Sequence, residues 1–155
     1  MSTKKALHAG WIIPVRPKGQ ILEKHTLVIE DQKIKSILPT EDWKRRKKSR
    51  NMEELDLNSC ALIPGFVNTH THSPMSLLRG VAEDPPFDEW LKNHIWPLED
   101  AFVNKEFVRD GTELSIAEML LSGTTCFNDM YFFGDETARI SIETGIRACI
   151  GMIVI

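Results

Sequence analysis

The chain has 155 residues, of which 42% are hydrophobic and 26% charged, and its net charge at pH 7 is −3. That is globular composition, long enough for one ordinary domain with a sizeable core, and it excludes a disordered or membrane-embedded class. The overall charge suggests neither nucleic acid nor an anionic lipid surface as a partner.

The first part reads as β. Leu7–Val15 is a short apolar stretch ended by Pro14 and Pro17, and Pro17-Lys18-Gly19-Gln20 forms a turn. Two runs follow, His25–Glu30 and Lys33–Leu38, with Asp31-Gln32 as a tight hairpin connection. Thr40 begins a helix, with Glu41 and Asp42 in its first turn. The basic run Lys44–Lys48 reads as a solvated helix face rather than a nucleic-acid patch, because no aromatic residues interleave it and Glu53-Glu54 offset it.

From Ala61 the pattern alternates between strand and helix. Ala61–Thr69 reads as a strand, and Phe87–His94 and Asn104–Ser122 as helices. Phe107, Leu114, Ile116, Met119 and Leu120 supply an apolar stripe on the second helix, and Gly123 stops it. Thr124–Asn128 is β-prone, Asp135–Glu143 is helical and closed by Gly145, and Ile146–Ile155 is strand-like. Such alternation opens a parallel α/β architecture. The apolar run Cys149–Ile155 reads as a buried parallel strand, so the chain reads as the front part of a longer protein.

The three cysteines, Cys60, Cys126 and Cys149, are widely spaced and show no Cys-x-x-Cys pairing. They are expected to be reduced and packed in the interior, with no disulfide framework or cysteine zinc knuckle. Met1–Leu7 has no apolar stretch suited to a signal peptide, and no segment approaches the ~20 apolar residues of a membrane helix. The cytoplasm is the expected location.

His70 and His72 follow the apolar run Pro64–Thr69. Residues two apart on a strand point the same way, so a strand continuing to His72 presents both imidazoles on one face. Imidazole nitrogen is a common zinc donor. Spacing alone leaves open the plainer alternative of two polar residues beginning a loop.

Three blocks carry a resemblance: PGFVNTHTHSPMSLLRGVAEDPPFDEWL (Pro64–Leu91), HIWPLE (His94–Glu99) and GTELSIAEMLLSGTTCFNDMYFF (Gly111–Phe133). The chain resembles the amidohydrolase superfamily, and within it the 5-methylthioadenosine and S-adenosylhomocysteine deaminases. The s-triazine and aminopurine hydrolases are near relatives. The resemblance covers most of the chain after Ala61 and is looser before it. It implies an α/β fold: residues 1–60 as part of a small β-sandwich, and 61–155 as the first strands and helices of a TIM-type (β/α)8 barrel. Leu62–Thr69, Gly123–Asp129 and Ile146–Ile155 would be the first three barrel strands, with chemistry gathered at their C-terminal ends.

The same resemblance implies that His70 and His72 are two ligands of a divalent metal, usually zinc, and that Glu99 accepts hydrogen bonds from the ribose hydroxyls of a nucleoside. A proline-broken segment, Ile95-Trp96-Pro97, would turn Glu99 back toward the site. The reaction implied is hydrolytic deamination of adenosine-type rings. A further His, a late Asp and a Glu–His pair used by the family match no residue of this chain. The catalytic acid and base are therefore unknown, and the chain alone is expected to bind zinc weakly and not to catalyse. His8, His25 and His94 are read as surface or helix-end residues. Asp129 is read as a cap or loop anchor, Arg79 and Glu83 as members of a structural ion pair, and Trp90 and Trp96 stay unassigned. The alternatives are an s-triazine, guanine or cytosine-type hydrolase, and, from another class, a non-catalytic remnant. The expected partner is a small-molecule nucleoside, not nucleic acid or membrane, with a homo-oligomer open for the full-length protein.

Overall fold

The computed structural model describes residues 3–46, 52–82 and 84–153. The chain divides into two compact units, 1–64 and 65–155.

In the first unit four strands, β1 (Lys4–Ile12), β2 (Leu22–Glu30), β3 (Lys33–Pro39) and β4 (Met52–Leu62), form one sheet in the order β3-β2-β1-β4. β1 is antiparallel to β2 and parallel to β4. The expected hairpin is present: Glu30 pairs with Lys33 across Asp31-Gln32, and Asp31 takes a left-handed φ of 56°, which Asp tolerates in tight turns. Helix α1 (Thr40–Arg45) packs Trp43 against Ala6, Val28 and Leu38 to make the core of this unit. Thr40 is the first helical residue rather than a side-chain cap, and its hydroxyl accepts a hydrogen bond from Thr26. Lys47 and Lys48 of the basic run lie outside the described residues.

Ala61 and Leu62 end β4 instead of opening the next strand. The expected strand from 61 to 69 is interrupted at Ile63-Pro64-Gly65, where proline has no N–H to continue a ladder. The division between the two compact units falls at 64/65.

The second unit is built on three parallel strands in the order β5 (Phe66–Thr71), β6 (Thr124–Met130), β7 (Arg147–Gly151). This is the strand–helix alternation expected of an α/β protein. A 3-10 helix (Ser73–Leu78) follows β5. Next comes one helical run made of α2 (Phe87–Glu89), a π-helix (Trp90–Ile95) and α3 (Trp96–Phe102). The sequence suggests a break at Ile95-Trp96-Pro97, but the helix widens instead. The Trp96 N–H bonds the Leu91 carbonyl five residues back. That wider turn carries the chain through Pro97, whose ring and missing N–H an uninterrupted α-helix does not accept.

Helix α4 (Lys105–Leu121) begins at Asn104, whose side chain accepts the Phe107 N–H at 2.9 Å, and is followed by Gly123 at φ 86°. Its buried stripe is Val108, Gly111, Thr112, Ile116 and Met119. Leu114 and Leu120, expected on that stripe, are 41% and 49% exposed, because Leu114 lies on the far side of the helix and Leu120 at the rim of the stripe. Helix α5 (Gly134–Thr144) is closed by Gly145 at φ 77° and completes a core of Ile116, Met119, Phe127, Ile140 and Ile146.

β7 ends at Gly151, and Val154 and Ile155 lie outside the described residues. Its Arg147, Ala148 and Cys149 are exposed, since β7 pairs only with β6 among the described residues. The expectation of a fully buried strand is corrected accordingly. So is that of buried cysteines: Cys60, on the edge strand β4, and Cys149 are exposed, and Cys126 is half-buried. No helix among the described residues is long and apolar enough to cross a membrane.

A glycine on α4 lets the 3-10 helix lie close against it. A Cβ on Gly111 would stand 2.5 Å from the Pro74 carbonyl oxygen and 2.7 Å from its Cα. Backbone thus meets backbone, and Ser76 Oγ also donates to the Gly111 carbonyl at 2.9 Å. Gly111→Ala should destabilise the protein by about 2 kcal/mol through overpacking, despite alanine's better helix propensity. Urea unfolding measures this, and an unchanged or raised midpoint would show that the contact gives way freely.

Candidate metal and nucleoside site

The C-terminal ends of parallel strands are where α/β folds place their chemistry, and β5 and β6 bring the conspicuous residues there. Asn68 pairs with Phe127 and Thr71 with Asp129, so β5 spends one residue more than β6 over the same stretch. The extra residue makes a bulge at Thr69-His70, a device that re-aims side chains. Asn128 Nδ2 donates to the Thr69 carbonyl beside it, at 3.2 Å.

The strand ends at Thr71, and His72 sits at the start of the 3-10 helix. The adjacency of His70 and His72 thus comes from a bulge and a turn rather than from simple strand alternation. Their ring centroids are 5.0 Å apart, edge to face.

His72 is held by its inner nitrogen, which donates to the Met130 carbonyl. A carbonyl only accepts, so Nδ1 carries the proton and the neutral ring keeps its lone pair on Nε2. A carbonyl held by one ring nitrogen in this way fixes the orientation in which the other presents its lone pair. His72 thus leaves Nε2 open as a nitrogen donor, with the His70 ring beside it. Among the described residues no group of three or more His, Cys, Asp or Glu side chains converges.

Just beyond His72, the Ser73 N–H bonds Asp129 Oδ1 at 2.7 Å. Asp129 is 1% exposed, and burial raises its carboxyl above the ordinary range, against the opposing pull of the Ser73 N–H. Its second oxygen has no hydrogen-bond partner among the described residues. Ser73 and Pro74 are buried, with Pro74 against Gly111. The turn that carries His72 is therefore clamped between the end of β6 and the middle of α4.

Glu99, on α3, is half-buried, and its Oε1 accepts from the Tyr131 hydroxyl at 2.7 Å. Tyr131 is 4% exposed and follows β6 directly. Burial first, and then its bond to Glu99, push its phenol well above the usual range, so the hydroxyl stays a donor. His72, Tyr131 and Glu99 line one cavity of about 400 Å³, with Trp90, Trp96 and Met75 among its apolar walls. His70 lies beside His72 but does not line it.

The structure thus brings His70, His72 and Glu99 into one region. The remaining histidines lie elsewhere: His8 bonds Thr26 and Glu54, His25 bonds the Glu23 carbonyl, and His94 is half-buried in the π turn. Arg79 makes its ion pair with Glu118, at 2.7 Å, while Glu83 lies outside the described residues. Tyr131 and the Met130 carbonyl are not among the residues expected from sequence. Tyr131 carried a usable signal: it is the chain's single tyrosine and stands one residue past a strand end.

A model of the amidohydrolase family matches residues 61–155. The chain belongs to the amidohydrolase family. A 5-methylthioadenosine/S-adenosylhomocysteine deaminase of Saccharophagus degradans is 49% identical over 140 residues, which is 90% of this chain and 31% of that protein. A 5'-deoxyadenosine deaminase of Methanococcus vannielii is 49% identical over 135 residues, 84% of this chain and 31% of that one. Among solved structures, an adenosine deaminase from Xanthomonas campestris with bound zinc superposes with a TM-score of 0.89 at 44% identity, covering 94% of this chain and 33% of the other. The chain thus spans about a third of the length of the curated relatives it matches.

Asp129→Ala should cost about 2 kcal/mol in urea unfolding, because it strands the buried Ser73 N–H, whereas Asp129→Asn, which keeps an acceptor, should cost less. Equal losses for the two variants would mean that the negative charge, not the acceptor, is what matters.

Proposed function

We propose that this chain contributes the first part of the metal site and the ribose site of a hydrolytic deaminase acting on adenosine-type nucleosides, 5-methylthioadenosine and S-adenosylhomocysteine among them. One observation carries the reading: His72, with Nε2 left as its free nitrogen, and Glu99 line the same apolar cavity. The names of the similar proteins support the same substrate class. In this reading the second unit opens a TIM-type (β/α)8 barrel and the first contributes to a small β-sandwich. The protein acts in the cytoplasm on a small molecule.

His70 and His72 hold a divalent cation, zinc by preference, as two of its ligands. The bound ion supplies Lewis acidity, lowering the pKa of a water molecule to about 7. Overall, water replaces the C6 amino group of the purine: one C–N bond breaks, a carbonyl forms and ammonia leaves. The residues seen here bind and orient. Met130 fixes the His72 ring, Trp90 and Trp96 exclude water from the cavity, and the Glu99 carboxylate accepts from the ribose hydroxyls. Recognition of this kind discriminates strongly, because an analogue without hydroxyls leaves a desolvated carboxylate unpaired.

With the full-length gene product, zinc loading followed by 5-methylthioadenosine should release ammonia, and His70→Ala or His72→Ala should lower both zinc content and turnover by at least about tenfold. Glu99→Ala should raise KM for nucleosides far more than for free adenine. Turnover of s-triazines or guanine without nucleosides would shift the substrate class, and a folded product that binds no zinc would point to a non-catalytic role.

A further inference from the structure

Tyr131 meets both His72 and Glu99 in the cavity they line. Its ring lies 6.3 Å from that of His72, and it stacks edge-on against Phe132 at 5.3 Å. Its hydroxyl reaches Glu99 at 2.7 Å. The ring is almost fully buried and begins one residue past Met130, whose carbonyl orients His72. A tyrosine has few rotatable bonds, so packing that fixes its ring also fixes where its hydroxyl stands. A carboxylate offers about four lone-pair sites on its two oxygens. Tyr131 occupies one of them on Oε1 and leaves Oε2 for a ligand.

We infer that Tyr131 is a positioning residue that aims Glu99 at a vicinal diol, so that the chain selects a purine carrying an intact ribose over a free base or a dideoxynucleoside. The inference rests on the reading of Glu99 as the ribose-binding carboxylate and adds to it the group that sets the carboxylate's direction. An untethered glutamate on an exposed helix would have to freeze its rotamers when ligand binds; one already held by a buried phenol binds pre-organised. The ring and the hydroxyl do separate work, because the ring packs beside His72 while the hydroxyl alone meets Glu99.

Tyr131→Phe separates the two, since it keeps the ring and its packing. In the full-length, metal-free protein, calorimetric titration with 5-methylthioadenosine should show up to about tenfold weaker binding for Tyr131→Phe, the scale of immobilising one rotamer-rich side chain on binding. The 2',3'-dideoxy analogue should bind wild type and variant alike. In the zinc-loaded protein KM should rise for the ribonucleoside with kcat little changed. Equal weakening of both ligands would reduce Tyr131 to a packing role, and no weakening of either would leave Glu99 aimed without it; either result overturns the inference. Glu99→Ala run in parallel separates the two readings. A diol-dependent loss there with none in Tyr131→Phe removes Tyr131 alone. No diol-dependent loss in Glu99→Ala removes the ribose role of Glu99 itself, and the inference with it.

Discussion

The arrangement depends on the grip that the end of β6 exerts on the turn after β5. Met130 gives its carbonyl to His72, and Asp129 gives a carboxylate oxygen to the Ser73 N–H. Both acceptors come from adjacent residues of one strand, and both donors from adjacent residues of one turn. A bulge at Thr69-His70 takes up the extra residue that this alignment requires. Burying a carboxylate is costly unless its oxygens are matched. At Asp129 that cost is carried beside the turn that positions His72, in keeping with the tendency of perturbed electrostatics to gather at functional sites.

Two further elements hold the turn from outside. α4 brings Gly111 and Thr112 close enough for the backbone of Pro74 to lie directly on the helix. The π turn before α3 shifts the helical register, so that the run continues through Pro97 and carries Glu99 to the cavity. The cavity therefore sets the His72 imidazole, the Glu99 carboxylate and the Tyr131 phenol among mostly apolar side chains.

Much of this was legible in the sequence. The hairpin at Asp31-Gln32 and the stops at Gly123 and Gly145 each follow from local chemistry, which is why they fall where expected. The His-x-His pair and the blocks around it pointed to the family that residues 61–155 match. What escaped depends on partners distant in sequence. Nothing local shows that Leu114 faces outward while Gly111 lies at the contact, or that a bulge, rather than a straight strand, sets His70 beside His72. The helix through Pro97 escaped for a different reason: proline reads as a break unless the turn before it widens, and the widening has no residue signature of its own. The exposed Cys60 and Cys149 show the same limit, because their apolar neighbours indicate burial while their places on edge strands decide against it.

The central assignment is that His70 and His72 together hold the metal, with His72 presenting Nε2 because Met130 occupies its other nitrogen. Crystals of the zinc-loaded full-length protein, measured on both sides of the zinc absorption edge, test it directly. The assignment predicts one strong anomalous peak bonded to both imidazoles, through Nε2 in the case of His72, with the His72–Met130 hydrogen bond intact. A peak held by other side chains, or one reached through His72 Nδ1 with the Met130 carbonyl released, would contradict it.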